Sequence, residues 1–292
     1  TAKTSGSEAR QLKSSKTSKS SKSFKSFDDV DEFESCFTGT ADDVIASCAA
    51  ANATCCAPSQ DSQVPACIWG DGRNVTVCPN SCNGDRACYF NPSTTTTIQV
   101  ASSSCNGEAS CFGIEMAIPR SSCNGQVACF LNTGGVGDNA CNGDAACYRN
   151  AGDVSRDACG GEAACFGNSA NVGKGSCGGD RSCLQNEDVI GKNACIGPSS
   201  CYFNEGTIDD FSCSGEEACT RNTGGIAKAS CIGELACGSN EGDISSRSCV
   251  GDEACLANVG TIGAEACIGQ SACSGNNATI ATGECVGNSS CT

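Results

Sequence analysis

A cysteine pair recurs every 18 residues through the last two thirds of the chain, and its register never slips. The first members are Cys105, Cys123, Cys141, Cys159, Cys177, Cys195, Cys213, Cys231, Cys249, Cys267 and Cys285. Each has a partner six residues on, from Cys111 and Cys129 to Cys273 and Cys291. Copies in perfect step mean that one short unit is stacked many times. The expected architecture is therefore an all-β, disulfide-rich parallel β-solenoid (β-helix) with 18-residue turns, not a globule with a pocket.

Thirty cysteines among 292 residues, with no histidine anywhere, argue against zinc or haem ligation. The even count and regular spacing read as a disulfide framework made in an oxidising compartment. Four glycosylation sequons agree, at Asn52, Asn74, Asn277 and Asn288, whereas Asn91 precedes Pro92 and does not qualify. The sequence opens on Thr1, which is expected if a signal peptide has been removed. No apolar run approaches the roughly 20 residues that a membrane-spanning helix needs. The expectation is a secreted, soluble protein, extracellular or associated with a cell wall.

Three segments follow. Residues 1–35 are rich in Ser and Lys and turn acidic from Asp28 to Glu34, a composition expected to stay disordered. Residues 36–81 hold Cys36, Cys48, Cys55, Cys56, Cys67 and Cys78 without a period, where a repeat array needs an N-terminal cap. The repeats occupy 82–292, since residues 82–91 match the later unit and a five-residue insertion precedes Cys105. The net charge of −15 is divided. Residues 1–27 carry seven basic groups against Glu8, a net of +6, and residues 101–292 carry 9 basic against 22 acidic groups, a net of −13. A cationic arm on an anionic rod can fold back on that rod or bridge to another polyanion.

Within the unit, numbered from its first cysteine, position 3 is glycine from Gly107 through Gly287, and position 6 is Ala or Ser. Position 10 is Asn from Asn132 to Asn276, with Ile114 the departure. Position 14 is Ile or Val, position 12 is often Gly, and position 18 is nearly always Ala or Ser. Glycines suit corners that need positive φ, and single Ile or Val residues suit short inward-facing strands. Stacked strands lie about 4.8 Å apart, so the array should be a rod about 50 Å long. The Asn column should form an amide ladder and the Ile/Val column the core.

Cysteines six apart can be bridged only if the chain turns back between them. Bridges between neighbouring turns are the rival. Parallel side chains on stacked turns leave their Cβ atoms further apart than a disulfide prefers, which favours one bridge inside each turn. The six-residue spacing resembles that of beetle antifreeze proteins, whose short β-solenoid coils carry an internal bridge. With so few aliphatics per turn, cystines must replace much of a missing core, each contributing about 2 kcal/mol under the loop-entropy model.

Position 4 is acidic at Asp85, Glu108, Asp144, Glu162, Asp180, Glu216, Glu234 and Asp252. Outward carboxylates at strand spacing repel one another and would gain from cations, lysine arms or polyamines, or simply keep a solvated face. The Gly- and Asp-rich nonapeptide of calcium-binding β-rolls is not present, so no metal site is expected. Position 8 gives Tyr89, Phe112, Phe130, Tyr148, Phe166, Leu184 and Tyr202, either a self-stacking ladder or a docking strip.

In the tail, Lys13, Lys16, Lys19, Lys22 and Lys25 recur every third residue among serines, preceded by Arg10-Gln11-Leu12. The lysines resemble the pentalysine clusters of diatom silaffin-like, silica-associated proteins, and the Arg-Gln-Leu stretch resembles that group's processing site. The resemblance covers only residues 9–27. It implies cleavage near Leu12, modified lysines, phosphorylated serines and targeting to silica, whose silanolates pair with ammonium groups.

No nucleophile elbow, Walker loop or histidine points to an enzyme, and neither a catalytic residue nor a cofactor is expected. The leading expectation is a structural protein of a mineralised wall, with silica or another polyanion as partner and neither nucleic acid nor membrane. The alternative is an extracellular module binding matrix protein or polysaccharide through Phe112, Phe130, Tyr148, Phe166 and Tyr202. Ice binding would want a flat array of regularly placed threonines, which Thr207, Thr261 and Thr279 do not supply.

Overall fold

The computed structural model describes Phe37–Gly39, Val44, Ala46, Cys56, 66–69, 75–90 and 98–291. The lysine tail, most of the irregular cysteine segment, and Asn52 and Asn74 lie outside the described residues. What is described is almost without helix and carries few strands. These are β1 (Phe37–Gly39), β2 (Cys67–Trp69), β3 (Val75–Val77), β4 (Cys88–Phe90) and β5 (Ile98–Val100). Strand β3 pairs antiparallel with β1 and parallel with β5, and β2 pairs parallel with β4. Val100 of β5 then bridges in parallel to Ile118, which starts the position-14 column.

From there each unit is hydrogen-bonded to the unit before and the unit after. Position 14 donates to the preceding unit, as in Val172 N–H to Asp153 C=O (2.8 Å), and position 15 donates to the next, as in Gly191 N–H to Ile208 C=O (2.7 Å). Each contact at position 14 is a single parallel bridge, not the short strand expected from sequence. The column is interrupted between Ile118 and Val136, where position 15 is Pro119 and has no N–H to give. A second column of parallel bridges runs along position 2, from Ile196 and Ser214 to Ile268 and Val286.

Every unit closes its own bridge, from Cys82–Cys88 to Cys285–Cys291, with Cα atoms 5.4–5.6 Å apart. Up to Cys273 these cysteines are fully buried, and with the Ile/Val column they form the core. Cys56–Cys67 bridges the segment before the repeats.

Two features differ from the sequence expectation about glycine. Glycine at position 3 takes positive φ as expected, for example Gly215 (143°) and Gly251 (132°), but further corners at positions 1, 5, 9 and 17 take it with residues that are mostly not glycine. Cys195 (φ 56°), Ser199 (51°), Phe203 (53°) and Phe211 (62°) are one such set. A cysteine held there by its bridge, in a ladder bonded above and below, has no cheaper conformation open to it. Conversely, the position-12 glycine Gly206 is not at positive φ; a Cβ there would overlap the backbone of Gly224. It answers close approach of successive units, not backbone handedness.

Small polar residues settle inside by one of two routes. The position-18 serines are buried and satisfied. Ser248 Oγ donates to Gly263 C=O (2.7 Å) and accepts from Ala266 N–H (3.3 Å). The position-6 serines are not: the hydroxyls of Ser110, Ser182 and Ser200 are buried with no hydrogen-bond partner. Alanine fills this position in most other units. Ser182→Ala should therefore stabilise the protein by about 1 kcal/mol, by removing an unpaired buried hydroxyl. A denaturation midpoint that falls in this variant would contradict the account.

Candidate functional site

Four residue columns carry the chemistry available here. The position-10 amides are internal. Asn204 Nδ2 donates to Asn186 Oδ1 (2.8 Å) and to Gly206 C=O (2.6 Å), and Asn222 Nδ2 donates to Asn204 Oδ1 (2.9 Å). The same pattern runs from Asn150 to Asn276, so these amides are spent on holding the units together.

The position-4 acids Glu108, Asp144, Glu162, Asp180, Glu216, Glu234 and Asp252 are all exposed and lie along one edge. The aspartates do more than solvate it. Asp144 Oδ1 accepts Gln126 N–H (2.8 Å), Asp180 Oδ1 accepts Glu162 N–H (3.0 Å), and Asp252 Oδ1 accepts Glu234 N–H (3.1 Å). A short carboxylate thus satisfies the amide of the preceding unit with one oxygen and presents the other to solvent. The glutamates are a methylene longer, and none of them holds a backbone amide in this way.

The position-8 rings stack in one file. Centroid separations are 4.5 Å for Tyr89–Phe112, 4.7 Å for Phe112–Phe130, 5.2 Å for Phe130–Tyr148 and 4.8 Å for Tyr148–Phe166, with planes within 10° of parallel. Each ring is half-buried. Their faces cover one another, leaving edges to solvent. Tyr202 stands apart from the file, because Leu184 occupies the unit between, and it meets Phe203 edge-on at 4.3 Å. Phe203 and the more distant Phe211 are exposed, the latter under the Lys228 ammonium at 5.5 Å.

An open groove of about 600 Å³ runs over positions 13 to 15, past Val189, Thr207, Ile208, Asp209, Ile226 and Asp243. Thr207, Thr261 and Thr279 all fall in the position-13 column, of which the groove covers Thr207. Gly225 and Asp243 separate Thr207 from the adjacent pair Thr261 and Thr279, so no continuous threonine array forms. No set of polar groups converges in this groove. Sulfurs of Cys159, Cys165 and Cys177 lie within 4.8 Å of one another, but these cysteines are disulfide-bonded and offer no thiolate to a metal. Of the sequons, Asn277 and Asn288 are exposed.

The family model of a domain of unknown function, DUF7640, matches residues 93–179, 145–253 and 175–290, which overlap and together span more than half of the chain. The chain belongs to the DUF7640 family. No curated protein and no solved structure matches it. The DUF7640 region begins within the first repeats and contains all the exposed carboxylates and rings described above except Tyr89. The lysine tail lies outside it. No helix among the described residues is long and apolar enough to cross a membrane. The many disulfides suggest an oxidising environment of extracellular type.

Proposed function

We propose that this is a secreted structural protein of a mineralised cell wall. In this reading the repeats form a β-solenoid, a rigid acidic rod stapled by one disulfide per coil. Its polycationic tail, Lys13 to Lys25, tethers the rod to silica or another polyanion. The observation that carries the reading is the unit-to-unit hydrogen bonding. It spends the buried asparagine amides and the position-18 hydroxyls on holding one unit to the next, while the sulfurs close each unit on itself, and it leaves periodic surface groups outside. Recurrence by the unit suits a scaffold better than a catalyst, whose groups must converge at one place. The tail's likeness to silica-associated lysine clusters supplies the mineral.

Co-sedimentation with colloidal silica tests the tether. The full chain should pellet with the particles, and the variant with all five lysines replaced by serine should stay in solution. In the natural source, intact protein should be recovered from acid-washed wall silica. A tagged copy that keeps its tail yet remains in the soluble secretion would contradict the proposal.

A second reading, a module that engages matrix protein or glycan through the aromatic file, draws on the exposed edges of the rings. Stacked faces cannot receive a sugar ring, so that reading favours a protein partner. Replacing Phe130, Tyr148 and Phe166 together with serine separates the two, since silica binding should persist while partner capture is lost.

A further inference from the structure

The amide ladder has an irregular first rung. In the later units the position-10 side chain gives two hydrogen bonds, one within its own unit and one to the asparagine before it. Asn150 Nδ2 donates in this way to Gly152 C=O (2.6 Å) and to Asn132 Oδ1 (2.8 Å). Asn132 keeps the first kind, to Gly134 C=O (2.6 Å), but the unit before it carries Ile114 at position 10. Its second N–H points instead at Met116 Sδ, 3.8 Å away. Asn132 is 1% exposed, so water cannot make up the difference. A thioether is a weak acceptor, and a buried amide proton is left with a poor partner.

The same joint is weak in other respects. Met116 occupies position 12, where Gly134 and Gly152 stand in the next two units, and the position-14 bridge is missing between Ile118 and Val136. Met116 packs against the core yet is half-buried, leaving part of its side chain open to small solutes. It is the single methionine of the chain, and no cysteine among the described residues is free. Among those residues its thioether is therefore the one sulfur that a mild oxidant can modify without first breaking a disulfide.

We propose that Met116 is a site of oxidation by hydroperoxides, and that its sulfoxide completes the ladder at this rung. The sulfur attacks one oxygen of the hydroperoxide; an S–O bond forms and the O–O bond breaks. The other oxygen leaves as water or an alcohol, taking up the proton that the transferred oxygen carried. Sulfur loses two electrons and the peroxide gains them. A sulfoxide oxygen about 1.5 Å from sulfur and about 2.9 Å from the amide nitrogen spans the 3.8 Å gap with an angle at oxygen of about 115°. That is close to the direction of an oxygen lone pair. A methionine sulfoxide usually disrupts packing by setting a polar group among apolar ones. Here a buried donor already faces it, so oxidation tightens the joint between the first two exact repeats. The sulfoxide oxygen takes the part that an asparagine Oδ1 plays at the rungs beyond. The inference rests on the ladder alone and depends on neither the tail nor silica.

Dilute hydrogen peroxide acting on the folded full chain tests this. Intact mass should rise by one oxygen atom. Cyanogen bromide, which cuts after methionine but not after its sulfoxide, should cease to cut between Met116 and Ala117. Exchange of the Asn132 side-chain amide protons, followed by NMR, should slow about fivefold, the effect of one neutral hydrogen bond. Methionine sulfoxide reductase acting on the product should restore the original rate. Met116→Gln sets an amide oxygen in the sulfoxide's place and should exchange slowly without peroxide. Met116→Leu should exchange faster than the wild type and be indifferent to peroxide. A chain that takes up no oxygen at Met116 while folded would overturn the site. Uptake followed by unchanged or faster exchange at Asn132 would overturn the completed rung, and so would a folded Met116→Gln no slower than the wild type. The peroxide experiment on the unsubstituted chain decides the matter even where a variant fails to fold.

Discussion

Alanine in place of Gly233 should destabilise the units around it by about 4 kcal/mol or more, among the largest effects a single methyl group can produce. Two costs coincide at this site. The residue sits at φ +138°, outside the regions open to a residue with a side chain, and holding alanine there costs about 1–3 kcal/mol. In addition, the new Cβ would lie 2.5 Å from the carbonyl oxygen and 2.6 Å from the carbonyl carbon of Gly251, the same position in the next unit. Neither atom can rotate away, since both are backbone bonded into the ladder. Gly160 is the control. A Cβ there meets nothing within 4 Å, and its φ is not in the strained range. Gly160→Ala should be neutral or stabilising by up to about 1 kcal/mol through the unfolded chain. With the disulfides intact, local opening is the quantity to read, by amide hydrogen exchange. Protection at Gly251 and Glu253 should collapse in Gly233→Ala and stay unchanged in Gly160→Ala. Equal protection in the two variants would remove the close approach between units from the account.

The second large effect is expected at Asn204, in the middle of the amide ladder. Its side chain is fully buried, gives two hydrogen bonds and receives one. Asn204→Ala leaves Asn186 Oδ1 and the Gly206 carbonyl without their donor and should cost about 3 kcal/mol or more. Asn204→Asp should cost more at neutral pH, because a buried carboxylate would face those two acceptors where it now donates. Burial and the facing oxygens raise the pKa of that Asp in the folded state above its unfolded value. The sign follows: the aspartate variant is most stable below the unfolded pKa and loses stability as pH rises through the folded one. Denaturation across pH should show Asp approaching Ala toward acid and falling below it at neutral pH. A flat profile would mean the column is not the closed hydrogen-bonded file described.

Much of the core was legible in the sequence because it recurs. The bridge within each unit followed from the geometry of two cysteines six apart, and the Asn and Ile/Val columns followed from their fixed offsets. The acidic edge was legible as a column. Its structural use was not, because the hydrogen bond from the Gln126 N–H to the Asp144 carboxylate joins units that only stacking makes neighbours. The handedness of the corners was legible at position 3, where Gly215 and Gly251 take positive φ, and hidden at other residues. Glycine is the usual signal for positive φ, yet Cys195, Phe203 and Phe211 take it while Gly206 does not. The partly exposed aliphatic file Ile232, Val250, Ile268 and Val286 is hidden in a consensus because the same position carries Asn106, Asn124 and Asn142 in the first units. There the amides make their own ladder, with Asn124 Oδ1 accepting Asn106 N–H (3.1 Å) and Asn142 Oδ1 accepting Asn124 N–H (3.1 Å). One position serves two chemistries along the array, and a consensus hides both. The aromatic column was legible as far as Phe166. That Tyr202 leaves the file depends on Leu184, too short to carry the stack onward.

The most direct check of the proposed rod is a set of distances between spin labels placed by non-natural amino acids along position 13. Val189 and Thr261 stand four units apart, and Val189 and Thr279 five. At about 4.8 Å per unit their backbones should be separated by about 19 and 24 Å, with narrow distributions. Distances that grow by that constant step for every 18 residues are what coils stacked in register require. A step that varies from unit to unit, or a spread as broad as a flexible chain's, would contradict it.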